Sequence, residues 1–123
     1  MEAVVVSDWE QYLLKAKRNE RLADELASLP QRYPEWEITT LFYSALHYVN
    51  AFLAARGQSA NYHRERYDLV DSQTSLGKDF DTLFQRSMNA RYDYDEFTVQ
   101  ESEQLKAGPF RRVKEGILAL LLS

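Results

Sequence analysis

Hydrophobic residues recur at intervals of three and four along most of this 123-residue chain. This spacing is typical of one apolar face of an α-helix, and no segment convincingly shows the strict alternation of a β-strand. The pattern therefore predicts an all-α protein of about five helices. In chain order, the predicted helices cover residues 7–29, 34–56, 62–72 and 79–92, and the last runs from 98 to the C-terminal end.

Local signals mark the ends of these helices. Capping-box patterns begin at Ser7 and at Thr98, and Asn61 is expected to cap the third helix. Gly57 is a stop signal for the second helix. Pro109 should kink or split the last helix, because proline lacks a backbone donor and clashes with the preceding turn.

The second helix is the most informative element, because it carries two distinct faces. Its apolar face contains Ile38, Leu41, Phe42, Ala45, Leu46, Val49, Phe52 and Leu53. The opposite face is aromatic, small and neutral-polar, and it contains Trp36, Thr40, Tyr43, His47, Asn50, Ala51 and Ala54. A helix that is covered on both sides is either central in its own bundle or packed on a partner chain.

Composition narrows the classes of function. The length fits one domain over residues 1–123. A net charge of -4 argues against non-specific coating of nucleic acid, but a local basic site can still be built from Arg56, Arg64, Arg66 and Arg91. The absence of cysteine excludes disulfides and thiolate metal sites. No signal peptide and no run of roughly 20 apolar residues is evident, so we expect a cytoplasmic protein without membrane association, metal or other cofactor.

Candidate chemistry is concentrated in residues 41–66, which hold both histidines of the chain. Arg56 and His63 stand on either side of Gly57, so a tight turn is expected to bring them together. Arginine binds phosphate and histidine transfers protons near neutral pH, which suits metal-independent cleavage of RNA. One pair supplies half of the required groups, and two pairs across a dimer axis would supply all of them. The alternative is structural: the arginine caps one helix and the histidine packs at the start of the next.

The block FYSALHYVNAFLAARG, followed by YHRER, resembles the HEPN family of small helical domains. The matching positions are an aromatic pair, small residues and a histidine on a central helix, its Ala-Arg-Gly end, and a His-Arg pair that opens the next helix. They are Phe42, Tyr43, Ala45, His47, Ala55, Arg56, Gly57, His63 and Arg64. The stretch ARYDYDEFTVQESE, residues 90–103, resembles the family's arginine-containing helix end, aspartate-tyrosine turn and acidic start of the last helix.

The resemblance implies an antiparallel helical bundle that pairs through its long central helices. Many family members are metal-independent ribonucleases or toxins that have an arginine, several intervening residues and a histidine. Six residues separate Arg56 from His63 here. Other members are non-catalytic, or act as partners of small nucleotidyltransferases in toxin–antitoxin systems.

The expected function is therefore that of a HEPN-like homodimer that binds or cleaves RNA. In this interpretation Arg56 stabilises the phosphate and His63 acts as general base or acid. Further substrate contacts are expected from Arg64, Arg91, His47, Tyr43 and Asn50. Two alternatives remain open: a non-catalytic dimerisation or interaction module that partners a nucleotidyltransferase, and a nucleotide-binding regulatory domain.

Overall fold

A computed structural model describes residues 7–92 and 96–123. All regular structure in these two ranges is helical, which confirms the all-α prediction. Residues 93–95, in the middle of the second stretch that resembles the HEPN family, lie outside the described residues. The helices are α1 (Asp8–Ala27), α2 (Pro34–Ala55), α3 (His63–Gln73), α4 (Gly77–Tyr92), α5 (Val99–Leu105) and α6 (Arg111–Leu122), with a π-helical turn (Lys106–Phe110) between the last two.

Helix α2 is the central element of the bundle. It packs against α1, α4, α5 and α6. Helix α1 runs antiparallel to it: the start of α1, at Asp8, lines one cavity with the end of α2, at Ala54, and the end of α1, at Ala27, lines another with Glu37 near the start of α2. The Ser44 hydroxyl donates to the Ala16 carbonyl at 2.7 Å and the Tyr48 hydroxyl donates to Glu20 at 2.9 Å, which ties the two helices together. The predicted apolar face of α2 is buried, apart from the partly buried Leu46. The helix is thus central in its own bundle.

The second face of α2 is only partly covered. Thr40 and Ala51 are buried, because they lie one helical turn from Ser44 and Tyr48, which contact α1. The other members of this face are exposed or half-buried: Trp36, Tyr43, His47, Asn50 and Ala54. The chain itself therefore covers Thr40 and Ala51 and leaves the rest of this face accessible.

The turn after α2 forms as the sequence predicts. Gly57 has a φ of +71°, a left-handed conformation that favours glycine. Its amide donates to the Ala54 carbonyl at 3.0 Å, and the Gln58 amide donates to the Leu53 carbonyl at 2.8 Å. This pair of hydrogen bonds is a Schellman motif, which ends α2 and sets the direction of the following loop.

The capping predictions have mixed outcomes. Thr98 and Glu101 form the predicted reciprocal capping box. Ser7 occupies the N-cap position of α1, but its hydroxyl donates to a glutamate side chain at 2.6 Å and caps no backbone amide. The prediction that Asn61 caps the third helix was wrong: the N-cap of α3 is Tyr62, in an extended conformation and without a side-chain cap.

Pro109 splits the C-terminal helical segment, as predicted. It lies within the π-helical turn that separates α5 from α6. The wider turn changes the backbone pairing where the proline ring would otherwise meet the preceding turn.

The apolar C-terminal segment packs on the core. Val113 and Ile117 are fully buried, and Leu118 and Leu121 pack against the core in part. Across the described residues, no helix combines the length and apolarity required to cross a membrane.

Candidate functional site

The uncovered part of α2 forms the floor of a surface strip that we call the α2 groove. Its floor residues are Trp36, Tyr43, His47, Asn50 and Ala54, which lie on one side of the helix because they are spaced by three, four or seven residues. Tyr12 of α1 approaches one edge of this strip, and Arg66 of α3 and Arg91 of α4 approach the other.

Arg91 is held on the floor of the groove by Tyr43. Its Nη1 donates to the Tyr43 hydroxyl at 2.7 Å, and its Nε donates to the Ser87 carbonyl at 3.2 Å. The guanidinium carbon lies 5.9 Å from the centre of the Phe42 ring and 5.4 Å from that of the Tyr43 ring. These contacts orient the guanidinium through neutral groups and leave its positive charge in place.

Arg66 is held in the same way at the other end of the groove. Its Nε donates to Asn50 Oδ1 at 2.9 Å, and its Nη2 donates to the Ala60 carbonyl at 3.1 Å. Among the described residues no carboxylate forms an ion pair with it. Burial lowers the pKa of Arg66, although Tyr12 and Glu65 raise it. A partly buried cation fixed only by neutral acceptors is well suited to bind an anion.

A cavity of about 330 Å³ lies beside Arg66. The loop that follows the Schellman turn, residues 57–60, forms one wall, and the start of α1 forms another. The lining residues are Asp8, Tyr12, Asn50, Leu53, Ala54, Gly57, Gln58, Ser59, Ala60 and Arg66.

His47 lies on the floor of the groove between the two arginine-binding positions. Its ring stacks with Tyr12, with ring centres 6.2 Å apart and planes 19° apart. Burial lowers the pKa of His47, and the nearby Lys15 and Arg66 lower it further. Its Nδ1 is buried and has no hydrogen-bond partner. Burial and the two cations therefore both favour the neutral imidazole.

His63 packs between α3 and α4. Its ring stacks on Phe84, with ring centres 3.5 Å apart, and its Nε2 lies 3.1 Å from Asp81 Oδ1. Burial lowers the pKa of His63 and Arg66 lowers it further, although Asp81 raises it. Its Nδ1 is buried and unpartnered. Any proton transfer by His63 therefore has to use Nε2, the nitrogen that Asp81 holds.

The turn after α2 does not bring Arg56 to His63 within one chain. The Arg56 guanidinium lies 4.5 Å above the Phe52 ring and donates to Gln73 Oε1 at 3.2 Å. Gln73 ends α3 and His63 begins it, and an eleven-residue helix is about 16 Å long. Arg56 thus contacts the C-terminal end of α3, whereas His63 lies at its N-terminal end. The expectation that the two residues share a site within one protomer is therefore not supported.

Arg64 lies on the surface of α3, outside the α2 groove. It pairs with Asp68 at 3.3 Å, one turn along the helix, and its side chain is 82 % exposed. Arg66 was not predicted as a site residue, because it is only one of four arginines that could build a local basic site. The available signal was its position three residues after His63, which places the two on one side of α3.

No protein-family model matches the chain, and no curated protein matches it. Within residues 7–92 and 96–123, no group of three or more acidic or histidine side chains comes together to hold a metal ion.

The lowered pKa values of His47 and His63 predict that the free energy of unfolding depends on pH. Both have a folded-state pKa below the ordinary 6.5, so the unfolded chain binds protons more readily as the pH falls below that value. The free energy of unfolding should therefore decrease between about pH 7.5 and 5.5, by up to about 1.4 kcal/mol per pH unit for each histidine. Urea unfolding at the two pH values measures this change.

The matched control is the double variant His47→Gln, His63→Gln, which should lose less stability over the same interval. Equal losses in the variant and the natural chain would contradict the assignment, because other groups would then cause the change.

Proposed function

We propose that this chain is a HEPN-like domain that binds a single strand of RNA in the α2 groove. The observation that carries the proposal is that neutral side chains on one face of α2 hold two arginines, one from α3 and one from α4. Asn50 fixes Arg66 and Tyr43 fixes Arg91, and none of the described contacts of either arginine is with a carboxylate. Two oriented cations on one strip suit two phosphates of one strand.

The spacing of the arginines fits a short single strand. Tyr43 and Asn50 are seven residues apart, which is about 10 Å along the helix axis. At about 3.4 Å per stacked nucleotide, this distance corresponds to about three nucleotides. A local site of this size also agrees with the negative net charge of -4, which disfavours extended contact with a duplex.

Exposed aromatic rings provide surfaces for the bases. Trp36, on the floor of the groove, is 56 % exposed, and Tyr92, beside Arg91, is 71 % exposed. The Arg91 guanidinium lies 5.3 Å from the centre of the Tyr92 ring. Unpaired bases stack on such rings with about 1–3 kcal/mol per base, and duplexes do not offer their base faces in this way.

Substitution of either arginine should weaken RNA binding. We expect Arg66→Gln and Arg91→Gln each to raise the Kd for a short single-stranded RNA about tenfold, the equivalent of about 1.4 kcal/mol for a lost phosphate contact. Each should also reduce the dependence of log K on log salt by about 0.7. Fluorescence anisotropy with a labelled ten-nucleotide RNA over a series of salt concentrations measures both quantities.

Arg111→Gln is the matched control. It makes the same change of charge at an exposed residue of α6 that pairs with Glu115. An equal loss of affinity in all three variants would show that only the overall charge matters and would remove the α2 groove as the binding site.

RNA cleavage is a second candidate function, and one observation favours it. Arg66 lies three residues after His63 on α3 and donates to Asn50 at 2.9 Å. Asn50 in turn lies three residues after His47 on α2, so one cation is near two proton carriers and lowers the pKa of both. Cationic charge, a general base and a general acid are the groups that metal-independent cleavage requires. His63 would transfer a proton through Nε2, so a substrate has to displace the contact between that nitrogen and Asp81 Oδ1. A site made from Arg56 and His63 instead requires a second copy of the chain, because Arg56 contacts the end of α3 and His63 lies at its start.

The cleavage proposal predicts that His47→Gln and His63→Gln each slow RNA cleavage about 100-fold or more in the presence of a chelator, since general acid–base catalysis contributes about 10²–10⁴-fold. The Arg56→Gln variant, alone and mixed with His63→Gln protein, distinguishes the two arrangements. An Arg56→Gln protein that is inactive alone and active after mixing would indicate a site shared across a homodimer, and one that is fully active alone would favour the Arg66 site. Full activity in both histidine variants would rule out either arrangement.

A further inference from the structure

The cavity beside Arg66 has the size of a small-ligand site. Its volume of about 330 Å³ falls at the lower end of the range for such pockets, about 300–1,000 Å³. It shares Asn50 and Ala54 with the floor of the α2 groove, and residues 57–60 line it beyond Ala54. The groove and the cavity therefore adjoin each other.

Arg66 supplies the cavity with a cation that still has free donors. Its described hydrogen bonds use Nε and one Nη2 donor, so Nη1 is available. Asp8 also lines the cavity but forms no ion pair with Arg66. The guanidinium fork matches the oxygens of a phosphate group, with which it forms two parallel hydrogen bonds.

The rest of the lining suits the sugar and base of a nucleotide. The hydroxyls of Tyr12 and Ser59 make no hydrogen bond within the described part of the chain, so both can bond sugar hydroxyls or polar base atoms. Leu53 and Ala54 add an apolar surface from α2. A ligand site usually combines one charged anchor, here the cation of Arg66, with a few uncommitted polar groups and an apolar side.

We propose that this cavity binds a nucleoside monophosphate, with the phosphate on Arg66 and the nucleoside against Tyr12 and Ser59. This inference rests on the proposed RNA-binding function. In that function, the nucleotide in the cavity is the terminal nucleotide of an RNA strand that continues along the groove towards Arg91. Residues 57–60 line the cavity beyond the end of the groove, so we expect the strand to end there.

Calorimetric titration with AMP, adenosine and inorganic phosphate tests the site itself. AMP should bind at least about tenfold more tightly than either fragment, because only AMP uses both the arginine and the nucleoside side of the cavity. Arg66→Gln should weaken AMP binding about tenfold, and so should Ser59→Trp, which fills the cavity from an exposed loop position. Arg111→Gln is the charge control, and circular dichroism verifies that each variant is folded. Equal binding of AMP by the natural chain and Arg66→Gln, or no binding at all, would overturn the proposal.

A comparison of linear and covalently circular RNA of the same sequence separates this inference from the general function. Tighter binding of the linear form, lost in Ser59→Trp and competed by AMP, is the expected result. Equal binding of both forms without competition by AMP would overturn the cavity proposal and leave RNA binding in the groove intact. Binding of AMP without binding of either RNA would support the cavity as a site for free nucleotide and would overturn RNA binding.

Discussion

The burial of α2 on all but one strip constrains the rest of the molecule. This helix has 22 residues, a length of about 33 Å, and four other helices pack on it. Ile38, Tyr48 and Val49 have no exposed surface, so α1, α4, α5 and α6 have to enclose it. What remains uncovered is the strip from Trp36 to Ala54. Neighbouring helices reach this strip from both edges, and for this reason side chains distant in sequence meet there.

The arginines of the strip differ from those that pair with carboxylates elsewhere in the described chain. Arg32 forms two hydrogen bonds with Glu37, and Arg112 forms two with Asp79. In those pairs the charge of the arginine is already compensated. Arg66 instead meets an amide and a backbone carbonyl, so its charge is available to a ligand. This contrast, more than the number of arginines, points to the α2 groove.

Local features of the fold could be predicted from the sequence because they depend on neighbouring residues. The turn at Gly57, the capping box at Thr98 and the split at Pro109 are of this kind. The apolar side of α2 followed from helical periodicity in the same way. At Asn61 the local signal failed, since the helix starts two residues later, at His63, with Tyr62 as its cap.

The candidate site could be predicted only in part. Tyr43, His47 and Asn50 follow from their shared side of α2, but their partners depend on where the fold places α3 and α4 beside that helix. No spacing rule links Asn50 to Arg66, and within one chain Arg56 contacts Gln73, at the other end of α3 from His63.

The central claim is that Arg66 and Arg91 bind phosphates of one ligand in the α2 groove. Its most direct test is NMR of the Nε–Hε groups of the arginines during titration with a trinucleotide RNA. The account predicts that the signals of Arg66 and Arg91 shift together along one binding curve, while the signal of Arg111 stays in place. Shifts confined to exposed arginines such as Arg111, with Arg66 and Arg91 unchanged at saturation, would contradict it.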